Sequence, residues 1–237
     1  AVGQGRLMHT YEQLFEEHNI TVAQALLSRG DITDREGYLN VRNTLLALLD
    51  CKVVPIINEN DVVAVEEIGV EVFGDNDNLS AMVANLVDAD LLIMLSDIDG
   101  LYTADPHEDP QASLIPRVER VDGAIEALAG DTHSHRSKGG MRAKLEAIKL
   151  ATASGVAVAL VNGRERQVVP RLVEGEAVGT FFAPTGSKVE SRKRWMLSGL
   201  STRGRIVVDA GAAEALRRNH GSLLPAGVKE VDGDFLR

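Results

Sequence analysis

Cysteine is almost missing. Cys51 is the one thiol in 237 residues, which excludes an intrachain disulfide framework and suits a reducing compartment. Its position at the end of an apolar segment reads as a small buried hydrophobe closing a helix. Aromatic residues are scarce at 4%, with a single tryptophan, which argues against a surface that stacks bases or sugars. Basic charge is also in deficit. Against 35 acidic residues there are 25 lysines and arginines, a net −10, the wrong sign for a protein whose main partner is a phosphate backbone. No apolar run approaches the roughly 20 residues that cross a bilayer, and no basic-then-apolar leader opens the chain. These gaps lead to the expectation of a soluble, cytoplasmic protein without a membrane partner.

Aliphatic residues are plentiful. Hydrophobic residues make up 44% of the chain, enough for a substantial core, and the length allows one large α/β domain or a domain plus a small module. Apolar positions Val2, Leu7, Met8, Tyr11, Leu14 and Phe15 form a helical stripe near the start. Residues 20–27 read as a strand, 34–49 as a helix and 53–57 as a second strand. Residues 62–73 are short, β-branched and acidic, as in a hairpin-like excursion. Asp77 reads as the cap of a helix to Asp88, followed by an apolar strand from Leu91 to Leu95. Pro106, Pro110 and Pro116 mark 103–117 as a surface loop. A short helix over 124–129, a glycine-bounded polar loop over 130–140, a helix over 141–154, a strand over 156–161 and a helix over 166–173 interrupted by Pro170 complete the pattern. This alternation predicts an α/β fold with a parallel, doubly wound sheet.

Composition changes after Ala183. Residues 184–204 combine Pro184, Gly186, Gly199 and Gly204 with the basic run Arg192-Lys193-Arg194, and read as a linker with a solvated charge run. A strand at 206–208 and a helix at 210–218 start a second unit over 205–237.

Two acid–amide clusters dominate the first unit. Asn58-Glu59-Asn60-Asp61 follows the strand Val53–Ile57, and Gly74-Asp75-Asn76-Asp77-Asn78 leads into Leu79-Ser80-Ala81. Turn chemistry explains any one such residue. Two polar loops at strand ends are better explained by a ligand site, because open α/β sheets bind ligands beyond the carboxyl ends of their strands. Carboxylates and amides there can hold an amino group, orient a lysine or meet a hydrated Mg²⁺. Ser96 and Asp97 end the next strand, where a hydroxyl and a carboxylate can meet a nucleotide. In Lys138-Gly139-Gly140-Met141-Arg142-Ala143-Lys144 the paired glycines let backbone N–H groups approach phosphate at a helix start, with Lys144 one turn in. An ordinary basic loop before a helix explains the same spacing equally well. The string Asp131-x-His133-x-His135 lacks the converging ligands of a zinc site and reads as a solvated loop. No residue is assigned as a metal ligand.

These segments, with Ser96-Asp97-Ile98-Asp99-Gly100-Leu101-Tyr102-Thr103-Ala104-Asp105-Pro106, resemble the glutamate 5-kinases of the amino-acid kinase family, in the same order along nearly the whole chain. The resemblance implies a three-layer sandwich with a mainly parallel sheet over 1–183, a linker over 184–204, and the start of a small PUA-like β-barrel over 205–237. It implies phosphorylation of the L-glutamate side chain by Mg²⁺-ATP, the first step of proline biosynthesis. Asp61 and Asn76 match positions that hold glutamate, with Asp75 assisting. Asp77 matches an aspartate that orients lysines, and Lys144 matches the lysine that neutralises the transferring group. Ser96, Asp97, Lys138, Gly139, Gly140, Met141, Arg142, Ala143 and Lys144 match the nucleotide site. Ser96 stands where the family has threonine, and Ser137-Lys138 where it usually has Gly-Thr.

A homo-oligomer, proline as feedback inhibitor and a glutamyl-phosphate reductase as functional partner are further expectations from the family. The N-terminal glycine-lysine phosphate loop and serine-glycine segment of the family have no counterpart here. The chain is therefore expected to be a fragment at both ends, lacking the first strands of its sheet, with impaired activity in isolation. Rival readings are another amino-acid kinase acting on aspartate, acetylglutamate, carbamate or a nucleotide, an RNA-binding module built on the C-terminal barrel, and a non-catalytic fragment that assembles with other subunits.

Overall fold

The computed structural model describes residues 3–33, 35–60, 76–106, 109–129, 140–188, 204–218 and 223–233. The chain divides into two compact units, Ala1–Leu197 and Ser198–Arg237. In the first, helix α1 (Gln4–Glu16) leads to strand β1 (Thr21–Leu27), a short helix α2 (Arg29–Thr33), helix α3 (Arg35–Asp50) and strand β2 (Val53–Glu59). Beyond the first acid–amide segment come α4 (Asn76–Leu86), β3 (Leu91–Ser96), β4 (Arg117–Val118), α5 (Gly123–Leu128), α6 (Met141–Ala153), β5 (Ala157–Asn162), α7 (Val168–Val173) and β6 (Thr180–Phe182).

β1 and β2 run parallel, with Thr21 opposite Val53 and Leu27 opposite Glu59. The larger sheet has the order β3-β5-β6-β4. Its β3–β5 pair is parallel, Leu91 opposite Ala157 and Ser96 opposite Asn162, whereas β6 returns antiparallel to β5. Side chains alternate faces along a strand, and β5 shows the consequence. Val158 and Leu160 join one cluster with Ala81, Ala84, Leu145, Ala147, Ile148 and Ala151 of α4 and α6. Ala159 and Val161 point the other way, against Val168 and Leu172 of α7. Burial on both faces is why this strand is a continuous apolar run, and each of its buried Val and Leu side chains contributes about 1.5–3 kcal/mol. The result is three layers, helices on either side of a mainly parallel sheet. A second cluster joins Leu27, Ile32, Tyr38, Leu79 and Leu86, so α4 packs against both the β1–β2 pair and the larger sheet.

Several local expectations are corrected. Asp77 lies inside the first turn of α4 rather than at its cap, and its carboxylate is used elsewhere. Cys51 is exposed, because α3 ends at Asp50 and Cys51 occupies the turn before Lys52, whose φ is 60°. Pro170 does not interrupt α7. It is the third residue of a helix that starts at Val168, where a missing N–H costs no internal bond. Asn58 and Glu59 belong to their strand rather than to the loop beyond, and of the pair read as ending β3, Ser96 is its last residue and Asp97 lies past it. The loop over 103–116 is held by an isolated bridge between Tyr102 and Leu114. The excursion at 62–73, the histidine string and the Arg192-Lys193-Arg194 run lie outside the described residues.

In the second unit β7 (Gly204–Val208) pairs antiparallel with β8 (Val228–Gly233), with a register irregularity between Val207 and Val208. Helix α8 (Ala210–Arg218) stands between them in sequence. Asp209 caps it, its Oδ1 accepting from Ala212 N–H at 2.7 Å.

Candidate functional site

Parallel pairing brings the carboxyl ends of β3 and β5 side by side, with Ser96 opposite Asn162. The amino ends of α4 and α6 lie at the same end of the sheet. Lys144 of α6 donates from Nζ to Asp77 Oδ2 of α4 at 2.8 Å, across 67 residues of sequence, with side-chain exposures of 17% and 21%. α4 and α6 approach closely because they meet through alanines, Ala81 and Ala84 facing Ala147 and Ala151, and small contacts allow short interhelical distances. The first turns are therefore held together, and a carboxylate beside an ammonium fixes both in place.

A cavity of about 520 Å³ opens at this end. Ser96, Asp97 and Tyr102 line it from the β3 side, and Gly140, Met141 and Lys144 from the α6 side, with Leu128 and Ala129 adding apolar wall. Gly140 occupies the N-cap of α6 in extended conformation and brings no side chain to its N–H groups. A helix start of that kind, with a lysine one turn in, favours an anion. Ser96 donates from Oγ to Asp97 Oδ1 at 3.3 Å. One end of the cavity thus offers cationic and N–H groups, and the other a hydroxyl and a carboxylate.

Five of the residues singled out from the sequence, Ser96, Asp97, Gly140, Met141 and Lys144, share this cavity, and Asp77 reaches it through Lys144. Arg142 and Ala143 do not line it. The Arg142 side chain is 76% exposed, with Nε 3.7 Å from Glu146 Oε1 on the outer face of α6. Asn76, at the start of α4, lines a second groove of about 420 Å³ with Ile57, Leu79, Leu91 and Leu92. Asp61, Asp75, Lys138 and Gly139 lie outside the described residues.

The structure adds residues that sequence reasoning passed over. Tyr102 and Asp105 line the cavity, although they belong to the segment that carried the family resemblance. Asp99 does not line it. Its carboxylate accepts from Asn162 Nδ2 at 2.8 Å and from Tyr102 Oη at 2.9 Å. The donors on Asn162 and Tyr102 hold the Asp99 carboxyl below its ordinary range, and the same bond pushes the Tyr102 phenol up. Below this segment the fully buried Thr180 hydroxyl accepts from Leu101 N–H at 2.8 Å and donates to Ile115 C=O at 2.7 Å.

The sequence profile of the amino acid kinase family matches residues 1–162, and that of the PUA domain residues 204–237. A glutamate 5-kinase of Dehalococcoides mccartyi (strain CBDB1) is 53% identical over 237 residues, all of this chain and 64% of the relative. One from Herpetosiphon aurantiacus is 54% identical over the same 237 residues, 63% of its length. The chain thus spans a little under two thirds of the curated relatives it matches. Among solved structures, the isopentenyl phosphate kinase of T. acidophilum in a product complex superposes with a TM-score of 0.50 at 19% identity, over 75% of this chain and 66% of that one. That likeness concerns the fold, and it agrees with the helix–sheet–helix layering of the first unit. Because the family profile spans more than half of the sequence and includes α4, β3 and α6, which build the cavity, the chain belongs to the amino acid kinase family.

Proposed function

We propose that the protein transfers the γ-phosphoryl group of Mg²⁺-ATP to the side-chain carboxylate of L-glutamate, making L-glutamyl 5-phosphate for proline biosynthesis. The observation that carries this reading is identity of about half over all 237 residues to proteins named glutamate 5-kinase. The cavity chemistry is consistent with it. Phosphoryl transfer asks a protein mainly to align donor and acceptor and to neutralise charge on the moving oxygens. In this reading Lys138, Gly139, Gly140 and Met141 at the start of α6 embrace the phosphates, without Arg142 and Ala143, which do not line the cavity, and Ser96 and Asp97 hold the nucleotide at the strand end. Lys144 neutralises the transferring group and Asp77 keeps its ammonium aimed. Asp61 and Asn76, with Asp75, hold glutamate. Mg²⁺ enters with the nucleotide. Such an ion is held largely by phosphate oxygens and water, with one or two carboxylates, and Asp97 is a cavity-lining carboxylate of that kind.

Residues 1–183 are proposed as the kinase domain, 184–204 as its linker and 205–237 as part of a PUA-like domain. The product is a labile acyl phosphate, so a glutamyl-phosphate reductase is the natural consumer. Proline as inhibitor, a homo-oligomeric state and a cytoplasmic location complete the proposal.

The test is glutamate-dependent ADP release by this chain and by a version extended upstream, with aspartate, acetylglutamate and UMP as competing acceptors. Glutamate preference in either protein supports the assignment. Preference for another acceptor replaces it with a different amino acid kinase, and silence in both removes the activity while leaving the fold.

A further inference from the structure

We infer that Asp99 is a positioning residue for the nucleotide, holding the Tyr102 wall of the cavity against the end of β5 through Asn162. This rests on the reading of the 520 Å³ cavity as the nucleotide site.

Two anchors fix the turn after β3. Residues 97–100 leave the strand without regular structure, so their conformation depends on side chains. One anchor is internal. The Thr180 hydroxyl ties Leu101 N–H to Ile115 C=O, and Gly179, at φ 68°, brings the β6 backbone so close that a Cβ there would run into the Leu160 carbonyl and approach Asp99 O to 3.0 Å. This anchor sets the backbone of residues 99–101 but does not aim the Tyr102 ring. The second anchor does. Asp99 turns its side chain away from the cavity, one carboxylate oxygen accepting from Asn162 and the other from Tyr102.

Asn162 is itself oriented, since its Oδ1 accepts from Arg164 N–H at 2.9 Å. Its backbone is paired in register with Ser96. The chain of contacts therefore runs from a rigid strand end through an amide and a carboxylate to the phenol of a cavity-lining ring. Asp99 does not itself line the cavity, yet through Tyr102 it decides where the wall stands. A preformed wall saves a ligand the cost of ordering it. Loss of two charge-assisted hydrogen bonds to an exposed carboxylate should therefore appear in affinity more than in folding.

The experiment measures Mg²⁺-ATP binding to the 237-residue chain by calorimetry, with thermal unfolding alongside, for the wild type and for Asp99→Ala, Asp99→Asn and Asn162→Ala. Weakening of roughly tenfold is expected for Asp99→Ala and Asn162→Ala, with Tm close to wild type. Asp99→Asn keeps the shape but only one of the two acceptors and should recover only part of the loss, whereas full recovery would show that shape rather than the paired acceptors sets the wall. Wild-type affinity in the folded alanine variants overturns the inference while leaving the nucleotide reading intact. If Asp99→Ala does not fold, the other two variants decide by the same criterion. Failure of the wild type to bind Mg²⁺-ATP overturns the nucleotide reading and this inference together.

Discussion

Lys144 Nζ and Asp77 Oδ2 meet at 2.8 Å between the first turns of α6 and α4. Neither residue has a partner of that kind on its own helix, so the contact exists only when the alanine faces of the two helices have packed. The pair therefore couples the core to the cavity mouth. A lysine on a long flexible stem pays side-chain entropy to stay in one place, and the carboxylate supplies the attraction that offsets it.

Lys144→Ala should lower phosphoryl transfer roughly 10²–10³-fold, the usual loss when one group stabilising transition-state charge is removed. Lys144→Arg should not restore the rate, because a planar guanidinium cannot occupy the site of a compact ammonium. Asp77→Asn should also reduce the rate, since the ammonium loses its charged anchor. Lys144→Ala and Asp77→Ala should each cost about 1–3 kcal/mol of stability by leaving a partly buried partner unpaired. The double variant should cost less than the sum of the two. Urea unfolding and steady-state ADP release check both statements, and additive stability losses would show that the pair is not coupled.

Thr180 provides a purely structural test. It is fully buried and its hydroxyl serves two backbone groups. Thr180→Val keeps the shape but leaves Leu101 N–H and Ile115 C=O without this partner, at a cost of about 1–3 kcal/mol. Thr180→Ser keeps the hydroxyl and should cost less. Equal midpoints for Val and Ser in urea would show that the hydroxyl is not what anchors the turn.

How much of this was legible in the sequence depends on how local the cause was. β1, β5 and α8 fall within about a residue of expectation, because an apolar run or stripe bounded by turn residues has a local physical basis. β6 was missed. It has three residues, and it becomes a strand only by returning antiparallel along β5, a tertiary fact. Ser96 and Asp97 stood out at a strand end, whereas Gly140, Met141 and Lys144 were singled out by the family resemblance, since their spacing alone fits an ordinary basic loop before a helix. The structure places all five around one cavity. The Asp99–Asn162 bond had no such signal. It joins residues 63 positions apart and follows from strand register alone. Cys51 shows the opposite error, since hydrophobicity argued for burial and a turn exposed it.

Arg42 should prove a stability residue with no role at the cavity. From α3 its guanidinium donates Nη1 to the Leu86 carbonyl at the end of α4 and Nη2 to Asp88 Oδ2 at 2.7 Å. It thereby satisfies a helix-terminal carbonyl that lacks an internal partner and ties α3 to α4. Arg42→Ala should lose about 1–3 kcal/mol, and Arg42→Lys should recover only part, having no fork to span two acceptors. The diagnostic is an unchanged affinity for Mg²⁺-ATP in the folded variants. A weakened affinity would mean that the α3–α4 tie reaches the cavity after all.

Acid stability carries the signature of Asp99. Hydrogen bonds from Asn162 first, then Tyr102, hold its carboxyl below the ordinary range in the folded protein, whereas in the unfolded chain it titrates near the usual value of about 3.9. A depressed folded pKa contributes stability that is fully present above the unfolded pKa. The contribution is lost as pH falls through the folded value, because the unfolded state then binds the proton more readily. Unfolding free energies of wild type and Asp99→Asn should therefore differ by a constant amount from neutral pH down to about pH 5 and converge below about pH 4. Taking the difference cancels the other acids held low by basic partners, such as Asp90 beside Lys188. The measurement is urea unfolding at low salt between pH 3 and pH 7. A wild-type advantage that persisted unchanged to pH 3 would show that Asp99 is not held as a hydrogen-bonded carboxylate, and the contact with Asn162 and Tyr102 would have to be redrawn.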